Sequence, residues 1–380
     1  MPNALKAVKG LKDGLHDVVR VFWERCLAVI AWMSTAMLAV VVLGAMAPAN
    51  DEPNLGILGK KAAYLRDAHH RYNVLFIGTS KTYRGVDPVL LQSISASHGC
   101  DVRAFNFGVS KLRLTELRHL ADQLSPTMLD DYDLIVMSPM ALSGIAKANW
   151  ASNRIQHFND WEGYWVSLDD IWHAPMSDTK GFLKKLYFSA QLTGSFAYRQ
   201  LGIGRLAPAL GGRDPSTADN HSGDLFDGAA IVDFSRHGYV ALDHEPHDQF
   251  LRRGETIQKN PDHFERLKSD IPPVDNFLGP TAERAWKRFT WAMDHLADFD
   301  VPVALFLPPM LPHAAQDQAL AETAEARGMP VLNYNQLDRY PELFDREHWF
   351  DYYHVAHSGA EILTRLLAQD ICPLIETAKG

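Results

Sequence analysis

The sequence predicts an α/β fold with a three-layer, doubly wound parallel sheet. Three observations lead to this prediction. Short apolar runs alternate with segments of helical periodicity, a pattern typical of parallel sheets with helices on both faces. The first run, residues 74–77, is apolar at four consecutive positions, as expected for a strand buried on both faces. Polar or glycine-bounded turns follow the first two strands, at the edge where open α/β sheets bind ligands.

The predicted elements alternate along the chain, with one long interruption. The predicted strands are residues 74–77, 101–107, 133–137, 301–307 and 331–334. The predicted helices are residues 60–70, 87–97, 112–124, 281–297, 314–327 and 358–370. Residues 141–280 show few clean periodicities and are too many for a loop. We therefore interpret them as an insertion with its own partial structure, within a domain that spans residues 73–380.

The N-terminal region predicts a membrane anchor. Residues 26–50 carry no charged side chain, and a helix of that length exceeds the hydrocarbon core of a bilayer. Residues 1–25 carry five basic and three acidic side chains, so the positive-inside rule keeps them in the cytoplasm. Residues 51–72 then form a linker. We expect a single-pass protein of a bacterial inner membrane, with its main domain in the periplasm.

A cleaved signal peptide is the alternative interpretation of this region. Residues 45–47, Ala-Met-Ala, resemble a small-residue cleavage site. Pro48 directly after them and the long apolar span favour an uncut anchor.

Composition excludes some classes of function. The chain is 47% hydrophobic and 22% charged, which is an ordinary globular composition. Its net charge is −9, without a dense Lys/Arg tract, so the basic surface of a nucleic-acid-binding protein is absent. The histidine-rich segment 244–248 contains Pro246, which breaks the helical spacing of an HExxH metal motif. We predict no nucleic-acid partner, no metal and no cofactor.

The three cysteines leave two structural possibilities open. Cys26 falls in the predicted anchor. In a doubly wound sheet, Cys100 and Cys372 would both fall at the edge opposite the one that binds ligands. An oxidising exterior would permit these two to form a disulfide. The alternative is two separate buried thiols.

Ser80, Asp351 and His354 are the residues that predict chemistry. Ser80 follows the first strand and precedes a helix start at Asp87-Pro88. A histidine near a strand end can deprotonate a serine, and a carboxylate three residues upstream can orient its imidazole. His348 and His357 are the rivals for the base, but the spacing to Asp351 favours His354.

Two other motifs are excluded at the Ser80 turn. A P-loop needs a glycine immediately before Lys81, where the chain has Ser80. A nucleophile elbow needs a glycine at position 82, where the chain has threonine.

In these segments the chain resembles the SGNH (GDSL-like) hydrolase superfamily. The matching pieces are Gly78-Thr79-Ser80, Asn106-Phe107-Gly108, and Asp351-x-x-His354 with the trailing Gly359. The resemblance covers residues 73–140 and 281–371, and it implies an SGNH-hydrolase-like variant of the flavodoxin-like sheet. It further implies that Ser80 is the nucleophile, His354 the base and Asp351 the orienting carboxylate. The backbone N–H groups of Ser80 and Gly108 would hold the oxyanion.

The chain departs from the family pattern after the third strand. The family places Gly-x-Asn-Asp there, whereas residues 137–140 are Met-Ser-Pro-Met. The side-chain oxyanion donor is therefore either missing or supplied elsewhere, with Ser138 and Asn153 as candidates. Three further residues are expected at the substrate rim, where they would contact an anionic or sugar substrate unless they are solvated turn residues. These residues are Lys81, Tyr83 and Arg84.

Together these features predict serine-dependent acyl-ester chemistry on an exported or cell-surface polysaccharide, and the resemblance implies that the reaction is O-acetyl transfer or de-O-acetylation. Membrane-anchored family members with a similar pattern work beside a membrane-bound O-acyltransferase, which is the partner the resemblance implies. One alternative is a membrane-tethered lipid esterase or thioesterase. The other is a degenerate domain that binds glycan or scaffolds an acylation complex.

Overall fold

A five-stranded parallel sheet organises the chain in the computed structural model. The residues described are 23, 25–29, 31–39, 42–43, 55–123, 132–138, 153–173, 179–201, 234–244, 248–271, 280–293, 301–311 and 314–379. The strands are β1 Val74–Gly78, β2 Ala104–Gly108, β3 Leu134–Met137, β4 Val303–Leu307 and β5 Val331–Asn333. They lie in the order β2-β1-β3-β4-β5, and every neighbouring pair is parallel. The predicted α/β class with a parallel sheet is confirmed.

Helices connect the strands. The helices of the main domain are α1 Ile57–Ala68, α2 Ser80–Gly85, α3 Pro88–Ser97, α4 Leu114–Gln123, α10 Pro280–Met293, α11 Ala314–Glu325 and α12 His357–Lys379. Those of the insertion are α5 Asn153–Phe158, α6 Trp161–His173, α7 Thr179–Gln200, α8 Asp248–Lys259 and α9 Pro261–Ser269. A short antiparallel hairpin, β6 Trp349–Asp351 and β7 His354–Val355, precedes α12.

Each strand buries both of its faces, because alternate side chains enter two separate cores. In β1, Leu75 and Ile77 join the core that holds α1, α4, α10 and α11, whereas Val74 and Phe76 join the core that holds α3, α8, α9 and α12. This division explains why the strand is apolar at every position, since a strand with one solvent-exposed face would alternate apolar and polar residues.

The predicted start of α3 is confirmed in detail. The Asp87 side chain accepts hydrogen bonds from the N–H groups of Val89 and Leu90, and Pro88 occupies the first helical turn. An aspartate cap satisfies N–H groups that have no intrahelical acceptor, and proline at that position loses no hydrogen bond.

The predicted linker is wrong for residues 55–72, which belong to the domain. Helix α1 buries Ile57, Leu58 and Leu65 completely or almost completely in the first core. Lys61 is also fully buried, and its Nζ donates hydrogen bonds of 2.7–2.8 Å to the carbonyls of Asn106, Gly108 and Gly238. A lysine on the buried face interrupts the apolar stripe of α1, so its amphipathic character is weak in the sequence.

The insertion is joined to the main domain by ion pairs. Arg284 and Arg288 of α10 bind Asp169 and Asp170 of α6, with N–O distances of 2.7 Å for Arg284–Asp169 and 2.9 Å for Arg288–Asp170. Residues 234–244 run beside β2, where the Asn106 N–H donates to the His237 carbonyl at 2.9 Å. The insertion therefore covers the outer edge of β2.

The N-terminal region is described in part. Residues 25–29 and 31–39 are helical, and Trp32 is 73% exposed. Among the described residues, no helix is both long and apolar enough to cross a membrane. Residues 1–22, 24, 30, 40–41 and 44–54 lie outside the described part of the chain, and they include part of the predicted anchor.

A disulfide joins Cys100 to Cys372, with the two Cα atoms 5.9 Å apart. The sequence left open a disulfide or two separate buried thiols, and the structure contains the disulfide. It ties the segment between α3 and β2 to the last helix, whereas Cys26 is a free thiol.

Candidate active site

Ser80 lies at the carboxyl edge of the sheet, where β1 passes directly into α2. The Thr79 hydroxyl caps the short helix by accepting from the Lys81 N–H at 3.4 Å. Gly78 is required by close packing, since a Cβ there would lie 2.0 Å from Ser138 Oγ and 2.1 Å from Thr82 Oγ1. Ser80 is therefore placed by a strand end, a capped helix and a glycine without room for a side chain.

The β6–β7 hairpin carries Asp351 and His354. These two residues are register partners across the hairpin, and the Tyr353 N–H donates to Asp351 Oδ1 at 2.8 Å within its turn. The three-residue spacing recognised in the sequence thus corresponds to a tight turn, which holds the carboxylate beside the imidazole.

Ser80, His354 and Asp351 form a hydrogen-bonded chain. Ser80 Oγ lies 2.8 Å from His354 Nε2, and His354 Nδ1 lies 2.9 Å from Asp351 Oδ1. When Nδ1–H donates to the carboxylate, Nε2 is free to accept the serine proton. The two rival histidines have other partners, because His348 Nδ1 contacts Ser358 Oγ at 3.0 Å and His357 Nδ1 contacts Tyr239 OH at 3.0 Å.

Electrostatics favour a neutral imidazole and an ionised carboxylate. Burial lowers the pKa of His354, Asp351 opposes this shift, and the positive charges of Arg253 and Lys81 add to it. Burial alone would raise the pKa of Asp351, but the charge and hydrogen bond of His354, followed by the charge of Arg253, lower it to about 2. At neutral pH the pair is therefore in the protonation state that a general base requires.

Arg253 is a site residue that the sequence analysis missed. It lies on α8 of the insertion, its guanidinium donates to Asp351 Oδ2, and one of its nitrogens lies 3.3 Å from His354 Nδ1. Asp351 thus has one oxygen toward His354 and the other toward Arg253. Residues 141–280 contain no motif that singles out this arginine.

A pocket opens in front of Ser80. Its lining residues are Ser80, Arg84, Ser110, Lys111, Leu242, Arg253 and His354. Of the residues predicted for the substrate rim, Arg84 lines it. Arg84 is nevertheless 3% exposed, and it donates to the Val240 carbonyl at 3.0 Å.

Two predicted rim residues have other surroundings. Tyr83 is fully buried, with Lys61 Nζ and Arg84 Cζ each 4.1 Å from its ring centroid, so its placement at the rim is wrong. Lys81 Nζ contacts Met310 Sδ. Burial lowers the pKa of Lys81, and the charge of Asp317 opposes that shift.

The predicted oxyanion donors are only partly supported. The Gly108 N–H already donates to Asn106 Oδ1 at 2.8 Å, so in this arrangement it does not serve as an oxyanion donor. Ser138 is 2% exposed, its hydroxyl pairs with Thr82 Oγ1 at 2.8 Å, and it does not line the pocket in front of Ser80. Asn153 begins α5, and its side chain lies outside the described residues. The Ser80 N–H begins α2, where no intrahelical acceptor exists.

Lys111 is another pocket residue that the sequence analysis did not predict. It has a φ of 55°, a left-handed conformation that is uncommon for a residue with a side chain. It lies three residues after Gly108, in the loop that leaves the carboxyl end of β2. Because functional residues concentrate in such loops, this position could have been predicted.

No protein-family model, curated protein or solved structure matches this chain. Its function must therefore be inferred from the geometry of the site and from the resemblance of its motifs.

Proposed function

We propose that this protein is a serine-dependent acyl-ester enzyme of the SGNH type. It would transfer or remove O-acetyl groups on an exported or cell-surface polysaccharide. The observation that carries the proposal is the chain of contacts from Ser80 Oγ to His354 Nε2, 2.8 Å, and from His354 Nδ1 to Asp351, 2.9 Å, at the carboxyl edge of a parallel sheet. Serine, histidine and aspartate in this arrangement activate a hydroxyl nucleophile on several unrelated folds.

The reaction uses these contacts in sequence. Ser80 Oγ attacks the ester carbonyl carbon while its proton passes to His354 Nε2. When the tetrahedral intermediate collapses, the ester C–O bond breaks and the departing alcohol takes that proton, leaving an acyl group on Ser80. His354 Nε2 then deprotonates the acceptor, either a sugar hydroxyl for transfer or water for hydrolysis, as its oxygen attacks the acyl carbon. The bond between Ser80 Oγ and the acyl group breaks, and Ser80 Oγ takes the proton back from His354.

The residue types that line the pocket support a sugar substrate over a lipid chain, although apolar atoms form most of its exposed lining. A lipid esterase or thioesterase needs a deep apolar tunnel for the acyl chain, whereas among the described lining residues Leu242 is the sole aliphatic side chain. Serine, histidine, lysine and arginine make up the rest of this lining. Such groups suit hydroxylated and charged substrates.

A binding component of an acylation complex is the second candidate function. It is favoured by the oxyanion side of the site, where the Gly108 N–H and the Ser138 hydroxyl are hydrogen-bonded to Asn106 and Thr82. Loss of one oxyanion donor costs on the order of 3 kcal/mol in transition-state stabilisation. A glycan-binding domain would not need these donors.

The proposal includes a membrane anchor at residues 26–50 and a periplasmic main domain. The uncharged run of those residues and the basic residues before it support that topology. The Cys100–Cys372 disulfide also supports it, because disulfides persist in oxidising compartments. A membrane-bound O-acyltransferase would then be the partner that supplies acyl groups across the bilayer.

Turnover of a chromogenic acetyl ester tests the proposed activity. We expect Ser80→Ala to lower the turnover of the full-length protein by at least about a thousandfold, because removal of a nucleophile leaves only the contribution of binding and electrostatics. Ser93→Ala is the matched control, since Ser93 is an exposed serine of α3. Equal turnover by Ser80→Ala and the wild type would refute the enzymatic proposal and favour the binding component.

A further inference from the structure

Helix α6 of the insertion exposes its large aromatic side chains. Trp161, Trp165 and Trp172 are between 42% and 61% exposed. They follow one another at intervals of four and seven residues, which places them on one side of a helix. The buried positions of α6, by contrast, include a glycine and a serine. Large apolar residues outside and small ones inside are the reverse of what a helix shows when it only packs against a core.

The acidic residues of α6 are engaged by the main domain. Asp169 and Asp170 pair with the two arginines of α10, as described above. Glu162 pairs with Arg118 of α4 at 2.8 Å. The charged side of α6 therefore forms the interface with the main domain, and its tryptophans form the outer surface.

Helix α7 continues this outer surface. Trp172 contacts Phe182 of α7, with their ring centroids 6.1 Å apart. Phe182, Leu183 and Leu186 are between 43% and 59% exposed. Together with the three tryptophans of α6 they form the apolar face of the insertion. Single exposed apolar residues are ordinary, but a group of six on two neighbouring helices indicates a surface that binds something.

The same part of α7 carries exposed positive charge. Helix α7 has three lysines and one arginine but no acidic residue, whereas the whole chain has a net charge of −9. Lys180 and Lys184 are exposed and lie on either side of two residues of the apolar face in the sequence. Tryptophan and leucine beside lysine are typical of helices that lie in the interface of an anionic bilayer.

The proposed anchor would bring a bilayer close to this face. The anchor ends at residue 50 and α1 begins at Ile57, so the chain between them spans at most about 25 Å when fully extended. Helix α1 packs in the same core as α4 and α10, the two helices that pair with α6. The start of the domain and the apolar face therefore lie on the same side of the sheet.

We propose that the apolar face docks on the surface of the membrane that holds the anchor. Its aromatic and leucine side chains enter the level of the lipid headgroups, and Lys180 and Lys184 pair with anionic phospholipids. The inference goes beyond the proposed function, because it needs no acyl chemistry at Ser80. It draws on the proposed topology only for the nearness of the bilayer.

Two other occupants of the apolar face fit the observations less well. A sugar ring stacks on flat aromatic faces, which leaves the exposed Leu183 and Leu186 without a role. A second copy of the chain, paired symmetrically, would place the same patch on both sides of the contact. Lys180 and Lys184 would then face lysines of the same charge, an arrangement that disfavours association.

Quenching by nitroxide-labelled lipids tests the docking in the full-length protein. An environment-sensitive dye is attached to Leu183→Cys in a Cys26→Ala background, without reductant, so that the Cys100–Cys372 disulfide stays closed. The protein is reconstituted into vesicles of phosphatidylglycerol and phosphatidylcholine in equal amounts, with a nitroxide near the glycerol end of some acyl chains. An interfacial helix buries its apolar face about 5–10 Å into the boundary between headgroups and acyl chains, within reach of that nitroxide.

The same dye on Ser93→Cys is the matched control. Ser93 is exposed on α3, which packs in the core on the other face of the sheet. The control corrects for the general nearness of an anchored domain to the bilayer and for the affinity of the dye for lipid. We expect lipid quenching at position 183 to exceed that at position 93 by at least about threefold, because only the first position enters the interface.

Charge variants test the contribution of the lipid headgroups. The ratio of docked to undocked protein is calculated from the quenched fraction at position 183. Lys180→Gln and Lys184→Gln should each lower this ratio about fivefold on the anionic vesicles, and vesicles of phosphatidylcholine alone should abolish the difference. Lys259→Gln, which removes an exposed charge of α8, is the matched control and should leave the ratio unchanged.

Several results would overturn the inference. The two dyes could be quenched alike, or Lys259→Gln could act as strongly as the two α7 variants. A blue shift at position 183 without lipid quenching would show that protein covers the face, as in a second copy. A response to a neutral oligosaccharide but not to lipid would show a glycan platform. Ester turnover by the labelled protein in detergent reports on Ser80 alone, so failure of docking and failure of the proposed function are distinguishable.

Discussion

Arg253 and Asp351 join the insertion to the candidate catalytic hairpin. The guanidinium of Arg253 donates to Asp351 Oδ2, while Asp351 Oδ1 accepts from His354 Nδ1. A residue from α8 thus supports the carboxylate that orients the base, so the insertion is part of the site.

Arg253→Gln should move the pH dependence of ester turnover. His354 must be neutral to accept the serine proton, so activity falls as the pH drops through its pKa. The positive charge of Arg253 contributes to lowering that pKa. Without this charge the pKa rises, and the acid limb of the pH–rate profile moves to higher pH.

Lys259→Gln controls for a general change of charge on α8. Lys259 lies on the same helix, 73% exposed and paired with Glu255. We expect the pH–rate profile of Lys259→Gln to match that of the wild type. An acid limb of Arg253→Gln that stays in place or moves to lower pH would contradict the assigned role.

Asp351→Asn should retain the fold and lose most of the activity. An amide in place of the carboxylate can hold the imidazole in the wrong tautomer, and this change costs on the order of 10⁴-fold in turnover in Ser-His-Asp enzymes. Circular dichroism would verify the fold, and turnover of a chromogenic acetyl ester would measure the loss. A variant within tenfold of the wild type would mean that His354 does not depend on this carboxylate.

Lys61→Met should destabilise the domain. It removes the donor of three hydrogen bonds to the carbonyls of Asn106, Gly108 and Gly238. Each buried carbonyl left without a partner costs about 1–3 kcal/mol, so we expect the free energy of unfolding in urea to fall by about 3 kcal/mol or more. Lys60→Gln, on the exposed face of α1, should change it by about 0.5 kcal/mol or less. Equal stabilities of the two variants would contradict this role for Lys61.

The parallel sheet could be predicted from the sequence, and so could the meeting of Ser80 with His354. Runs of apolar residues predict strands that are buried on both faces, and the carboxyl ends of parallel strands share one edge of the sheet. Asp351 and His354 are three residues apart in one turn, so their contact is local. These features depend on the chain near each residue or on a general rule of the fold.

The missed features depend on contacts between distant segments. Tyr83 was expected at the rim because it follows Ser80 closely, but Lys61 and Arg84 enclose its ring in the core. Gly108 was expected to donate to an oxyanion, but Asn106, two residues earlier, takes its N–H. Arg253 reaches the site from an insertion without clear periodicity. Side-chain partners of this kind are set by packing, which composition and spacing do not specify.

Opening the Cys100–Cys372 disulfide should also lower stability. The bond closes a loop with a sequence separation of 272 residues, and the loss of a native disulfide typically costs about 2–5 kcal/mol. We expect reduced wild type and Cys372→Ala to unfold at lower urea concentration than the oxidised wild type. Cys26→Ala should unfold at the same urea concentration as the oxidised wild type, because Cys26 is a free thiol. A wild type whose unfolding is insensitive to reductant would contradict this prediction.

The most direct test of the central claim is intact-protein mass spectrometry of the full-length chain mixed with a chromogenic acetyl ester and quenched in acid. We predict a mass increase of one acetyl group, mapped by peptide sequencing to Ser80, present in the wild type and in Ser93→Ala, and absent from Ser80→Ala. An unmodified protein at every time point, or an acetyl group mapped to another residue that persists in Ser80→Ala, would contradict it.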